Sequence, residues 1–260
     1  MTAATQPEGP GTRFRRILGV RFFVGGAREA IELVSGGGLL VVPAAPALKN
    51  LPDDSAYREA LLEADVAIAD SSLMVMVWNF IQRDRIRRLS GLEYLAELLT
   101  VPAVKNSGGS FWIMAGRESA DRNLAWLDAH GVRVPAEDVY VAPRYDSGID
   151  DEFLVQKIRK RQPPHVVVTI GGGTQERLGL YLKRNLQPLP AIHCIGAAIA
   201  FLSGDQVRIP LWADRFYLGW LFRCLSEPRR FVPRYWSARK LVSLLLRFRG
   251  GLPVRVARQL

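Results

Sequence analysis

The sequence predicts an α/β domain built on a mostly parallel sheet with helices on both faces, extended by a basic, amphipathic helical C-terminal appendage. Three observations predict it. Short apolar or β-branched runs alternate with segments of helical periodicity over residues 13–206, the spacing of right-handed crossovers. One run, Val166-Val-Val-Thr-Ile170, is continuously strand-forming rather than alternating, as in a central strand buried on both faces. Charge is also unevenly placed. From residue 207 to the end, 12 Lys and Arg face two acids, Asp214 and Glu227, and this net +10 equals the formal charge of the whole chain. Residues 1–206 are therefore neutral overall, and the basic, aromatic-rich end points to phosphates or an anionic surface.

In chain order, residues 1–12 are rich in Pro, Gly, Ala and Thr and read as a disordered leader without the apolar core of a signal peptide. Residues 21–24 (Arg-Phe-Phe-Val) form the first strand, and helix 27–34 follows the glycine pair at 25–26. Strand 39–42 (Leu-Leu-Val-Val) leads to helix 55–63, and strand 66–69 (Val-Ala-Ile-Ala) to helices 71–82 and 92–99. Strand 111–115 (Phe-Trp-Ile-Met-Ala) precedes helix 119–130, and strand 139–142 precedes helix 151–161. Strand 166–170 leads to helix 175–185, and strand 192–195 closes the series. After Gly204 the pattern changes. Residues 212–225 read as helical, Pro228 and Pro233 interrupt, and 237–249 are helical again. There Leu241, Leu244, Leu245 and Phe248 fall at i, i+3, i+4 and i+7. Such a helix either docks on the core by its apolar face or lies at a lipid headgroup layer with its basic face outward.

The chain of 260 residues, 48% hydrophobic and 23% charged, has the composition of an ordinary globular protein with an ample core. Cys194 and Cys224 read as reduced core thiols. His130, His165 and His193 stand isolated and read as structural or surface groups. No Cys/His cluster has metal-ligand spacing, so neither a metal nor another cofactor is expected. No stretch reaches about 18 uncharged apolar residues, so any membrane contact is peripheral.

Three places can carry chemistry. Asp70, in Val66-Ala-Ile-Ala-Asp70-Ser71-Ser72, sits at the carboxyl end of a strand, where open α/β sheets place ligands. It reads either as a general base or as an N-cap of the following helix. In Ile170-Gly171-Gly172-Gly173-Thr174-Gln175-Glu176, glycines between strand and helix let backbone N–H groups approach a phosphate or sugar, or simply make a tight turn. Gln175 and Glu176 open the next helix, and Gly116 marks a third loop at the same sheet edge. The last place is the basic tail. Arg223, Arg229 and Arg230 offer planar forks for phosphate oxygens, or else form a solvated basic face. Trp212, Tyr217, Trp220, Phe231, Tyr235 and Trp236 interleave with them. Single-stranded nucleic acid also binds such surfaces, but no recognition-helix, RNP or OB signature accompanies this one, so no nucleic acid is expected.

Taken together, these residues resemble the WecG/TagA/CpsF family of bacterial glycosyltransferases, from about Phe22 to Tyr235. The similarity rests most on the terminal block: the Arg-x-Pro-x-Trp at Arg208 to Trp212, the Leu-x-Trp-Leu-x-Arg ending at Arg223, and Glu227-Pro-Arg-Arg230. Gly171, Gln175 and Glu176 match the family's Gly-x-Pro-x-Gln-Glu loop. Gly196, Phe201 and Gly204 match its Gly-rich segment, Ala69-Asp70 its Ala-Asp, and Arg88 and Gly91 its Arg-x-x-Gly. The chain departs from the pattern at Gly173 (family Pro), Leu178 (Trp), Ala200 (Asp), Gly219 (Glu) and Val42-Pro43-Ala44 (Thr-Pro-Asn).

The resemblance implies a Rossmann-like fold and inverting, metal-independent transfer of an N-acetylmannosamine-type sugar. The donor would be a UDP-sugar and the acceptor a polyprenyl-diphosphate-linked sugar. Asp70 would be the base, and the tail, residues 207–260, would contact the membrane and complete the site with Arg208, Arg223, Arg229 and Arg230. That implies a cytoplasmic protein, peripheral on the inner face of the cell membrane, acting in cell-surface polysaccharide biosynthesis. Another nucleotide-sugar or acceptor, or a catalytically silent assembly factor, stands as the alternative. Oligomeric state is open, a homo-oligomer included.

Overall fold

A computed structural model describes residues 13–146, 148–204 and 219–254; the predicted leader, Arg208 and Trp212 lie outside the described residues. Eight strands form one sheet in the order β1-β2-β4-β3-β8-β7-β5-β6. They are β1 (Phe14–Ile17), β2 (Val20–Phe23), β3 (Gly38–Val41), β4 (Val66–Ile68), β5 (Ser110–Met114), β6 (Val139–Val141), β7 (His165–Val168) and β8 (Ala191–Cys194). β1 pairs antiparallel with β2, and every other pairing is parallel. The predicted α/β class and parallel sheet are what the chain forms, with strand bounds shifted by a residue or two.

The apolar strands have two faces to fill. On β3 and β5, Leu39, Val41, Phe111 and Ile113 join one buried cluster, while Leu40, Trp112, Met114 and Val42 just past β3 join the other. This is why these strands read as unbroken apolar runs. Helices α2 (Ala45–Leu48), α3 (Ser55–Leu62), α4 (Ser72–Gln82), α8 (Glu152–Arg161) and α9 (Thr174–Asn185) cover the first face. Helices α1 (Ala27–Val34), α5 (Gly91–Leu98), α6 (Pro102–Lys105), α7 (Arg117–Ala129) and α10 (Ala198–Ser203) cover the second.

Three departures from the sequence reading have physical causes. Strand β1 was not predicted, because Arg15 and Arg16 break its apolar run. It forms as the edge half of a hairpin whose two-residue turn, Leu18 (φ 50°) and Gly19 (φ 80°), has both residues at positive φ, as the tightest hairpins require. His165 and His193 are not isolated. They are buried on adjacent strands, with His165 Nδ1 3.1 Å from His193 Nε2 and Tyr94 Oη 2.7 Å from His193 Nδ1. Pro228 does mark a break between two helices of the tail, but Pro233 does not interrupt. Pro228 occupies the first turn of a helix, where its missing N–H costs nothing, and Pro233 lies inside the same helix.

The described tail comprises α11 (Gly219–Ser226), α12 (Pro228–Ala238) and α13 (Lys240–Phe248). Ala238, Leu241 and Leu245 are fully buried in the first core cluster, and α13 packs along α4. The backbone then returns to the hairpin, where Leu18 N–H donates to Arg249 O and Gly19 N–H to Gly250 O. The apolar stripe of the last helix is thus occupied by the core, and its basic residues Arg239, Lys240 and Arg247 face outward. Both cysteines are free thiols, Cys194 buried and Cys224 half-buried.

Candidate active site

Five adjacent strands, β4, β3, β8, β7 and β5, deliver their carboxyl ends to one cleft of about 600 Å³. Neighbouring strands lie ~4.8 Å apart, so the four steps from β4 to β5 carry the cleft across roughly 19 Å. An elongated ligand suits that shape. Of the residues singled out in the sequence, Asp70, Arg88, Gly116, Gly171, Gly172 and Gln175 all line this cleft.

Asp70 stands at the β4 end. Its Oδ1 accepts from Arg88 Nη2 (3.0 Å) and from Gly91 N–H (3.2 Å), the first amide of α5, while Arg88 Nε donates to the Asp70 carbonyl at 2.6 Å. The side chains are 24% and 14% exposed, enough to meet a ligand while held in place. The helix-cap reading of Asp70 fails, because Ser71 caps α4 by accepting from Met74 N–H. Among the described residues both hydrogen bonds to the carboxylate fall on Oδ1.

The glycine loop follows β7. A Cβ at Gly171 or Gly172 would meet nothing, so this part of the cleft wall is bare backbone. Gly173 has φ +92°, a value the ring of the family's proline forbids, so the loop takes a path of its own here. Gln175 Oε1 accepts from Gly196 N–H (2.6 Å) and its Nε2 donates to Glu176 Oε1 (3.1 Å). Glu176 Oε2 in turn accepts from Gly173 N–H (2.6 Å). Two loops of the cleft are thereby tied through one buried amide and one buried carboxylate. Glu176 itself is 0% exposed and presents nothing to the cleft surface.

Burial pushes the Glu176 carboxyl up to about 7, opposed by the hydrogen bonds it accepts. A carboxyl that holds its proton more tightly when folded stabilises most below its unfolded value, and that stabilisation is lost as pH rises toward 7. The loss is about 3 kcal/mol at ~1.4 kcal/mol per unit. His193 works in the opposite sense: burial, aided by His165, holds it down to about 3, so its folded-state advantage fades as pH falls below the ordinary histidine value. A difference measurement separates them. The unfolding free energy of the parent minus that of Glu176→Gln, taken by urea titration, should fall by about 3 kcal/mol between pH 4.5 and 7.5. A flat difference would show that the carboxyl titrates normally.

At the far end, α7 follows its N-cap Gly116 and brings Arg117, Ser119, Arg122 and Asn123 to the cleft wall. Arg122 pairs with Glu118 at 2.8 Å. Sequence reasoning marked Gly116 but missed these cations; the signal was there in the Gly116-Arg117 step from strand to helix, where an N-terminus already favours anions. Of the four tail arginines, Arg208 lies outside the described residues, Arg223 belongs to α11 and Arg230 to α12, and Arg229 is exposed in the first turn of α12. Helix α12 packs on α2, the helix that starts beside Ala44 at the cleft mouth, and Lys49 Nζ meets Ser237 Oγ at 2.5 Å. Ser237 lies seven residues beyond Arg230, roughly 10 Å along a helix rising ~1.5 Å per residue.

A parallel sheet with a carboxylate held beside an arginine at its ligand edge, and amides and guanidinium groups further along one elongated cleft, defines an α/β enzyme of the group-transfer kind. The chain belongs to the glycosyl transferase WecG/TagA/CpsF family, whose model matches residues 15–252, and it is a glycosyltransferase. It is 26% identical over 218 residues to a Bacillus spizizenii protein named N-acetylglucosaminyldiphosphoundecaprenol N-acetyl-beta-D-mannosaminyltransferase, covering 81% of this chain and 82% of that one. A Bacillus subtilis protein of the same name is 23% identical over 190 residues, 70% of this chain and 71% of that one. A Grifola frondosa trehalose phosphorylase is 26% identical over 170 residues, but these span 51% of this chain and 23% of that protein.

Proposed function

We propose that this protein transfers an N-acetylmannosamine-type sugar from a UDP-sugar to an N-acetylglucosamine carried on a polyprenyl diphosphate, with inversion and without a metal ion. The single observation that carries the reading is Asp70, fixed at the carboxyl edge of the sheet by Arg88 and Gly91 N–H. The names of the two Bacillus relatives support the sugar and the acceptor.

In the proposed reaction, Asp70 takes the proton of the acceptor hydroxyl as its oxygen attacks the anomeric carbon from the face opposite UDP. The bond from that carbon to the diphosphate oxygen breaks, and its electron pair leaves on UDP. Charge developing on the diphosphate is met by guanidinium groups and backbone amides. Arg117, Arg122 and the start of α7 sit at the end of the cleft away from Asp70, which favours a donor lying with its sugar by Asp70 and its nucleotide toward α7. Arg208, Arg223, Arg229 and Arg230 are assigned to the acceptor and donor diphosphates. Gly171 and Gly172 line the sugar, and Gln175 and Glu176 hold the loop that carries them.

No helix of the described residues is long and apolar enough to cross a membrane. Residues 207–260 are read as the membrane-facing appendage of a 13–206 core, on the inner face of the cell membrane. Exposed Leu225, Val232, Trp236 and Leu246, set among exposed Arg229, Arg239, Lys240 and Arg247, support contact with an anionic leaflet. Another donor sugar is favoured by one observation: Val42, Ala44 and Ala200 all line the cleft at positions where the family carries Thr, Asn and Asp.

The test is a panel of UDP-sugars with a short-chain lipid-diphosphate N-acetylglucosamine acceptor, with and without EDTA. UDP-N-acetylmannosamine should be turned over equally in both arms. Preference for another sugar would move the donor assignment to the second reading. Turnover abolished by EDTA and restored by Mn²⁺ would overturn the metal-free mechanism, and no turnover with any donor would favour an assembly role.

A further inference from the structure

A second, smaller cleft of about 230 Å³ lies against the glycine loop and shares Gly172 with the first. Lys49, Asn50, Asp54, Tyr57, Gly172 and Gly173 line it, with Ser237 of the tail at its rim. Gly172 belongs to both clefts, so the wall between them is a strip of backbone on which a Cβ would meet no neighbour.

Tyr57 is the anomaly in this cleft. It is 1% exposed, and its hydroxyl has no hydrogen-bond partner, the sole such buried side-chain N or O atom among the described residues. Buried hydroxyls are nearly always paired, because leaving one unpaired forfeits its hydration without replacement. Burial holds this hydroxyl well above the ordinary tyrosine range, and the Glu176 and Asp54 carboxylates add to the effect; Tyr57 and Asp54 both line the cleft. Around it stand a cation (Lys49), a carboxylate (Asp54), an amide (Asn50) and the backbone of Gly172, donors and acceptors of both kinds without excess positive charge. A phosphate would prefer uniform donors, whereas a pyranose ring, whose hydroxyls both donate and accept, matches a mixed set.

We propose that this cleft is a pyranose subsite that seats a sugar of the lipid-linked acceptor, with Tyr57 Oη bonding a ring substituent. The inference rests on the transferase reading for the acceptor, but sugar binding at the cleft stands apart from it. The tail closes one side through the Lys49–Ser237 contact, so the subsite is completed where the membrane-facing helix meets the core. A lipid-linked acceptor would then enter from the side on which its lipid lies.

Two substitutions leave the fold intact by construction. Tyr57→Phe keeps the ring and removes only an unpaired hydroxyl, and Asp54→Asn keeps a side chain that caps α3 as well as aspartate does. The full chain and both variants are assayed for steady-state turnover with UDP-N-acetylmannosamine and the short-chain acceptor. Binding of that acceptor and, separately, of UDP is followed by calorimetry. Each variant should raise the KM and Kd for the acceptor about tenfold, the loss of one good hydrogen bond, while the KM for donor and the Kd for UDP stay within twofold. Unchanged acceptor affinity in both variants, with a Tyr57→Phe protein that is simply more heat-stable, would overturn the proposal and leave the cleft holding water only. A weakened UDP instead of acceptor would overturn it too. If no donor is turned over, the transferase reading fails, but acceptor binding and its loss in the variants still decide the subsite.

Discussion

Replacing Asp70 by Asn should lower kcat by about 10²–10⁴, the usual worth of a positioned general base, while the fold and UDP affinity persist. The amide keeps the shape of the carboxylate and an oxygen for Arg88 and Gly91 N–H, but it cannot accept the acceptor's proton. Because Ser71 caps α4, the change removes no helix cap, and the thermal midpoint should stay nearly unchanged. Circular dichroism and UDP calorimetry on the same preparation check this. A folded variant within about threefold of parent activity would remove Asp70 from the chemistry.

The second large effect is expected at Arg88. Its Nε and Nη2 grip the carbonyl and the carboxylate of Asp70 together, a two-point hold that only a planar guanidinium supplies. Arg88→Lys keeps the charge and loses one of the two contacts, so Asp70 is freed to rotate away from the acceptor. Small misplacements of a reacting group cost on the order of 10² in rate, and kcat should fall by about that much, with the KM for donor altered less than threefold. Full activity in the lysine variant would mean that charge alone is needed at this position.

Much of this architecture was legible because the physics that builds it is local. An unbroken run such as that of β7 has to be covered on both faces, and an acid just past β4 has to emerge where parallel strands end. What was hidden depends on tertiary neighbours. Strand β1 carries two arginines and forms only as an edge beside β2. The proline inside α12 reads as a break in any window, yet the helix packs on α2 and runs through it. Glu176 reads as a polar residue opening a helix, free to face a ligand, but its neighbours bury it completely and turn it into a brace for the loop. Arg117 and Arg122 went unmarked beside Gly116, and only the sheet order places them in one cleft with Asp70. Lys49 caps the end of α2, Asp54 caps the start of α3 and Tyr57 lies in its first turn, and they converge only where the tail closes over them.

The central claim is that sugar passes directly from a nucleotide to a lipid-linked hydroxyl at the Asp70 end of the cleft. Mass spectrometry of the lipid product, with UDP measured in parallel, tests it most directly. The full chain, UDP-N-acetylmannosamine and short-chain N-acetylglucosaminyl diphosphate lipid should give a product heavier by one N-acetylhexosamine residue, one UDP for each, and almost none with Asp70→Asn. UDP released without a heavier lipid, or equal product from the Asp70→Asn protein, would contradict the account.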